Sequence, residues 1–242
     1  MKINFVDRKY LGAVLLLISL AESVMAQSGD STSGTSPHGY IDVNGYFDSR
    51  NSSDFTADLL SRINNRTSYF TFTNFFSGTP TLEQNRYYSE HHFYRSMTES
   101  SPFDWSAQWM TISGNSNDAF RLGMRWRLAN TNGLAEFCKQ HNLIYTIAFH
   151  LFQADANKSR TPFLNQVEHF YRIGWLNNRL YLSGFADMDM YYKSGVQFSV
   201  VTEHQLGIKM FSGLYAVIEY RYNDYAVSKN GVGMGLQYII SY

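Results

Sequence analysis

The chain has 242 residues, no formal net charge, 44% hydrophobic residues and 17% aromatic residues. Its 20 basic and 20 acidic residues are interspersed, so no basic patch indicates nucleic-acid binding. The single cysteine, Cys138, excludes an internal disulfide, and no His/Cys spacing near it is typical of a metal site. We therefore expect no metal and no other cofactor.

The first 26 residues have the three parts of an export signal. Basic residues precede an apolar run over 11–20, and Val24-Met25-Ala26 offers small residues at the −3 and −1 positions. The apolar run is too short to span a bilayer comfortably, which disfavours an uncleaved anchor. Residues 27–38 are small and polar, as in flexible linkers. We expect a signal peptide over 1–26, a periplasmic linker over 27–38 and one domain over 39–242.

From residue 39 onward, segments of alternating polarity follow one another, and none approaches the twenty apolar residues of a transmembrane helix. Such segments cross a bilayer as tilted strands of a barrel. Alternation and turn residues predict twelve strands and one short helix over 134–140. Ten or fourteen strands are also compatible, because 55–63 alternates weakly. The predicted strands span residues 40–50, 55–63, 67–76, 85–96, 103–112, 119–128, 142–153, 166–176, 179–192, 197–211, 214–226 and 231–242.

The last strand shows the pattern most clearly. In GVGMGLQYIISY, from Gly231 to Tyr242, every even position is apolar, whereas the odd positions are mostly glycine or polar. Side chains of a strand alternate between its two faces, so one face is continuously apolar. This pattern is typical of an antiparallel up-and-down transmembrane β-barrel, an all-β fold, whose outer face contacts lipid. We expect the aromatic C-terminal strand to engage the barrel-assembly machinery.

The cost of charge in lipid assigns the two faces of each strand. An arginine facing lipid near mid-bilayer costs about 2–4 kcal/mol, so the three arginines of FRLGMRWRL must face the lumen. In the first strand, Asp42, Asn44, Asp48 and Arg50 point inward by the same argument. Trp105, Trp126 and Trp175 fall at the periplasmic edge of the lipid face, where an aromatic girdle is expected. The residues predicted to line the lumen are Arg121, Arg125, Arg127, Glu168, Arg172, Asp187, Asp189, Glu203, Lys209, Glu219 and Arg221.

Two interpretations of this charged lumen remain open. In the first, a basic ladder on 119–128 faces an acidic wall on later strands across a water-filled pore, and these charges set solute selectivity. In the second, the acids and bases pair and fill a closed structural barrel, because twelve strands lie between filled and open barrels in size. Inward glycines such as Gly207 and Gly235 leave room for a bore or for bulky neighbours.

A third interpretation is a lipid-modifying enzyme on the barrel wall. A Glu-His pair recurs at 90–91, 168–169 and 203–204, and the assigned faces point His169 and His204 toward lipid. The faces of 67–76 and 85–96 are not resolved, but His91 shares a face with Ser89, and a lipid-facing histidine beside a serine or threonine could act as a general base. Neutral histidine is also tolerated near an interface, and no neighbouring strand offers an obvious Asn or Asp to orient the imidazole. We therefore expect no catalytic residues and no enzymatic activity.

The layout of signal, short linker, about twelve strands and aromatic terminus resembles small Gram-negative outer-membrane proteins. Size and strand count resemble the monomeric 12-stranded specific porins, such as the oligogalacturonate, sialic-acid and nucleoside channels. FRLGMRWRL is similar in style to the basic lumen of the acidic-sugar porins, although no diagnostic motif is present. The outer-membrane phospholipase family is also 12-stranded, but its His-x-Ser pair is missing here. The resemblance implies an outer-membrane channel for passive diffusion of small polar solutes, anions among them.

Overall fold

The computed structural model describes residues 39–50, 52–77, 86–113, 118–155, 164–192 and 195–242. The signal peptide and the linker predicted over 1–38 lie outside these residues. In the described chain, twelve antiparallel strands form one closed barrel, in which each strand pairs with its neighbours in sequence and the first pairs with the last. They are β1 (Gly39–Asp48), β2 (Ser52–Asn64), β3 (Thr67–Phe76), β4 (Arg86–Ser96), β5 (Phe103–Ile112), β6 (Ala119–Arg127), β7 (Leu143–Asp155), β8 (Leu164–Trp175), β9 (Leu180–Tyr191), β10 (Gln197–Phe211), β11 (Leu214–Asn223) and β12 (Asn230–Ser241).

The predicted all-β up-and-down barrel is confirmed, and most strand ends lie within two residues of their predicted positions. The short helix is also present, as α1 over Ala135–Gln140. β2 alternates weakly in sequence but is 13 residues long, because β1 and β3 pair with it on both sides. The predicted end of β1 at residue 50 was wrong: β1 ends at Asp48, and Arg50 lies in the following turn. Its side chain nevertheless contacts the inward Asp48, with Nη2 2.7 Å from Asp48 Oδ2.

At the end that carries residues 39 and 242, which we assign to the periplasmic side, the connections are short except that between β6 and β7, which contains α1. Between β8 and β9, Leu176, Asn177 and Asn178 adopt positive φ angles of 53–60°. Asparagine tolerates this left-handed conformation better than most residues. The predicted Asn177-Asn178 turn is therefore present, and it includes Leu176 as well.

The barrel is polar inside and apolar outside. Its most buried large side chains include Tyr181, His92, His150, Gln108 and Glu219, each less than 2% exposed. On the opposite face, large apolar side chains are open, and Trp105 and Trp175 are 59% and 43% exposed. No helix in the described ranges is long and apolar enough to cross a membrane. The closed ladder leaves no free strand edge, which is what a lipid environment requires.

Candidate pore and its charged wall

The strand registers place all eleven predicted lumen residues on the face that carries the buried side chains. Arg121 pairs in register with the buried Gln108, Arg125 with the buried Asp104, and Glu219 with the buried Gln205. The inward face of β3 and β4, which the sequence does not resolve, carries the even-numbered residues, among them Glu90 and His92. All of these side chains lie inside the barrel wall.

Two of the three β6 arginines share one carboxylate at the periplasmic end. Arg125 Nη2 lies 2.6 Å from Asp104 Oδ2, and Arg127 Nη2 lies 3.1 Å from Asp104 Oδ1. Asp104 is only 1% exposed. The Arg125 guanidinium also lies 3.4 Å from the centroid of the Tyr94 ring. Asp104 therefore neutralises about half of the positive charge that the sequence places here.

Arg121 makes its hydrogen bonds to neutral amides. Its guanidinium donates to the side-chain oxygens of Gln153 at 2.6 Å and of Gln108 and Gln166 at 2.9 Å each. Gln108 in turn donates to Glu90, 2.6 Å away, so the side-chain amide of Gln108 links Arg121 to this carboxylate. This buried cation is held in place by hydrogen bonds, and its charge is not cancelled by a contacting acid.

Arg221 lies at the centre of the acidic wall. Its guanidinium contacts Asp54 and Glu219, and its Nε is 3.1 Å from Glu203 Oε2. Asp54 belongs to β2 and lies 167 residues away in sequence, so this contact crosses the lumen side of β12 and β1. Glu203 and Glu219 therefore surround a cation and do not form a purely acidic surface.

A block of tyrosine and glutamine side chains lies in the lumen beside this cluster. The Tyr181 hydroxyl is within hydrogen-bond distance of the side-chain amides of Gln205 and Gln237, and Gln205 donates to the Tyr46 hydroxyl. The ring of Tyr181 occupies the space that a side chain at Gly207 would need. Sequence reasoning missed this block, although alternation along β1, β9, β10 and β12 places each of these residues inward. The inward glycine here accommodates a bulky neighbour.

The remaining predicted residues lie on β8, β9 and β10. Glu168 lies opposite Asp187 in register, and Asp189 Oδ2 accepts a hydrogen bond from the Tyr225 hydroxyl at 2.6 Å. Arg172 stacks its guanidinium 3.9 Å from the Tyr181 ring centroid. Lys209 lies near the periplasmic end of β10, 6.0 Å from the centroid of the Tyr215 ring. Within the described ranges, no cation contacts the carboxylates of β8 and β9 that face the lumen.

The outward histidines are hydrogen-bonded to tyrosines on other strands. Tyr69 and His91 Nδ1 are 2.7 Å apart, and the equivalent distances are 2.9 Å for Tyr145 with His169 and for Tyr171 with His204. Ser89 Oγ donates to the Phe72 carbonyl at 3.0 Å and is 3.4 Å from His91 Nε2. A tyrosine hydroxyl, and not a carboxylate, is thus the group hydrogen-bonded to Nδ1 of each ring. In the described chain, no group of three or more His, Cys, Asp or Glu residues is placed to hold a metal ion.

No family model and no curated protein matches the sequence. Among solved structures, the fold is similar to the KdgM porin, with 12% identity, a TM-score of 0.51 and coverage of 82% of this chain and 98% of that chain. It is similar to the NanC porin with 12% identity, a TM-score of 0.56 and the same coverage. For Omp33 of Acinetobacter baumannii the identity is 7%, the TM-score 0.50 and the coverage 86% and 100%. The chain therefore has a twelve-stranded outer-membrane β-barrel fold similar to that of the KdgM and NanC porins.

Proposed function

We propose that the protein is a narrow outer-membrane channel for passive diffusion of small polar solutes. The supporting observation is the continuous inward face of ionised and amide side chains, enclosed by a barrel with an apolar outer wall. Such a lining favours hydrated solutes over apolar ones. The fold agrees with this proposal, because similar barrels occur in proteins described as porins.

We further propose that anions are among the solutes and that Arg121 is the main attracting group. Its hydrogen-bond partners are amides, and no acid among the described residues contacts it directly, whereas Arg125 and Arg127 are shared with Asp104. A structure similar to this chain is the KdgM porin in complex with disordered oligogalacturonate. Asp187 and Asp189 lie three strands away on β9, in electrostatic range of Arg121, where they would orient and narrow the path of a solute.

The test is single-channel conductance of the refolded mature chain in a planar bilayer with a salt gradient. Discrete steps with anion preference would support the channel. Replacing Arg121, Arg125 and Arg127 by serine should shift the reversal potential toward cations, and Asp104→Asn should shift it toward anions. Arg95→Ser, on the outward face, is the matched control and should change neither. Unchanged reversal potentials in the first two variants would contradict the basic ladder.

The closed structural barrel is the second candidate, and the block around Tyr181 favours it. Tyr181 has no exposed surface, and Tyr46, Tyr215 and Val217 pack with it inside the wall. A folded barrel that inserts without conductance steps would support this alternative. The expectations of outer-membrane lipid as surroundings and of the barrel-assembly machinery as partner hold for both candidates.

A further inference from the structure

Two carboxylates face each other where β1 meets β2. Asp42 and Asp58 are register partners on the inward face. Directly opposed residues of antiparallel strands have Cβ atoms about 4.5–5.5 Å apart, and like charges at such positions are destabilising. A group that offsets this repulsion between the two carboxylates is therefore expected nearby.

The oxygens of this pair are incompletely satisfied. Asp42 is 6% exposed; its Oδ2 accepts a hydrogen bond from Gln237 Nε2, whereas its Oδ1 has no partner. Asp58 Oδ1 is likewise buried without a partner. Asn44 follows Asp42 on the same inward face, is 6% exposed and has an unpartnered Oδ1. Three buried acceptor oxygens without a partner therefore lie along one seam, and a bound water or ion is one arrangement that satisfies such groups.

The surroundings supply little positive charge. Arg172 on β8 is the cation in electrostatic range of Asp42, and its guanidinium is stacked on Tyr181. Glu203 adds negative charge near Asp58, and the neighbouring Tyr40 is neutral. By contrast, Asp104 and Glu219 each contact an arginine directly. In the described lumen, Asp42 and Asp58 therefore form a carboxylate pair without a contacting cation, as the carboxylates of β8 and β9 also do, and here an unpartnered amide oxygen, that of Asn44, follows on the same face.

We propose that Asp42 and Asp58, with the side-chain oxygen of Asn44, bind a hard divalent cation such as Ca²⁺. Carboxylate and amide oxygens are the ligands that Ca²⁺ prefers, and two carboxylates balance its charge. With only two acidic ligands the site resembles weak extracellular sites, with Kd on the order of 10⁻⁴–10⁻³ M, completed by water. The proposal does not depend on conduction, because a wet but closed lumen would also admit the ion.

The test is calorimetric titration of the refolded full chain in detergent with CaCl₂. The wild type should bind Ca²⁺ saturably, and Asp58→Asn, which keeps the shape of the side chain, should weaken binding at least about tenfold because one charged ligand is lost. Asn44→Ala should weaken it less. Glu99→Gln removes a carboxylate from an exposed turn and should leave binding unchanged.

Heat-modified mobility on gels checks that each variant is folded, and Asn44→Ala keeps the test decisive if Asp58→Asn does not fold. Equal Ca²⁺ affinity in the wild type and in the folded lumen variants would overturn the proposal, because the ion would then bind elsewhere. Absence of saturable binding up to about 10 mM, ten times the weak end of extracellular sites, would overturn it as well.

Discussion

Arg221→Met should be among the most destabilising single substitutions in the barrel. The Arg221 side chain is 12% exposed and contacts Asp54 at 6% exposure and Glu219 at 1% exposure. Glu203, at 29% exposure, is the third partner and the most exposed one. Removing one partner of a buried ion pair typically costs about 3–5 kcal/mol, whereas an exposed pair contributes about 0–1 kcal/mol. Since two of the three acids are almost fully enclosed, we expect a loss of about 3–5 kcal/mol.

The measurement is urea unfolding of the barrel in lipid vesicles, followed by tryptophan fluorescence. Arg62→Met is the matched control: Arg62 also faces inward, but it is exposed at the periplasmic end of β2, and its loss should cost less than about 1 kcal/mol. A second change, Glu219→Met in the Arg221→Met background, should recover part of the stability because it removes the most deeply buried acid. If Arg221→Met itself cost less than about 1 kcal/mol, water would screen these carboxylates and our reasoning from burial would be refuted.

Two further predictions concern the β1–β12 seam and the connection between β11 and β12. A Cβ at Gly235 would collide with the backbone carbonyl of Gly45, whereas a Cβ at Gly45 would meet open space. Gly235→Ala should therefore lower the unfolding free energy by about 1–3 kcal/mol or more, and Gly45→Ala should leave it nearly unchanged. Equal effects of the two substitutions in urea unfolding would contradict this prediction. In the connection, hydrogen bonds from the Lys229 ammonium, the Val200 amide and the Tyr222 hydroxyl lower the pKa of Asp224 from 3.8 to about 2. The contribution of this contact to stability is thus present above the ordinary pKa and lost as the pH falls through about 2. Lys229→Met should raise the pKa of Asp224, and an unchanged carboxyl titration by NMR would show that Lys229 is not the main cause.

The strands and their faces could be predicted because both depend on local information. Alternation fixes the inward set in most strands, although not in β3 and β4, and the cost of an arginine in lipid orients β6 without reference to any other strand. The end of β1 was misplaced at Arg50 because the turn is made by contacts between Arg50 and Asp48, both polar and both compatible with an inward strand position. The polarity of these two residues does not show whether the strand continues to residue 50 or ends before it in a turn.

The side-chain contacts between different strands could not be predicted, because they depend on the register between strands and on how the barrel closes. Asp104 becomes the partner of Arg125 only once β5 and β6 are aligned. The contact of Arg221 with Asp54 requires in addition that β12 pairs with β1. Gly207 could equally have opened a bore, and only the position of the Tyr181 ring decides that it does not.

The same side chains therefore determine both the stability of this barrel and any selectivity that it has. With an apolar outer wall facing lipid, the interior is held by hydrogen bonds and ion pairs, which are worth most where water is excluded. A solute that passed Arg121 would have to compete with Gln108 and Gln166 for the guanidinium. Substitutions that free a charge for a solute should consequently also weaken the wall. Asp104→Asn distinguishes the two candidates most clearly. If the lumen is wide and hydrated, this variant should shift the reversal potential with little loss of stability. If the lumen is filled, the variant should lose stability and conduct no current.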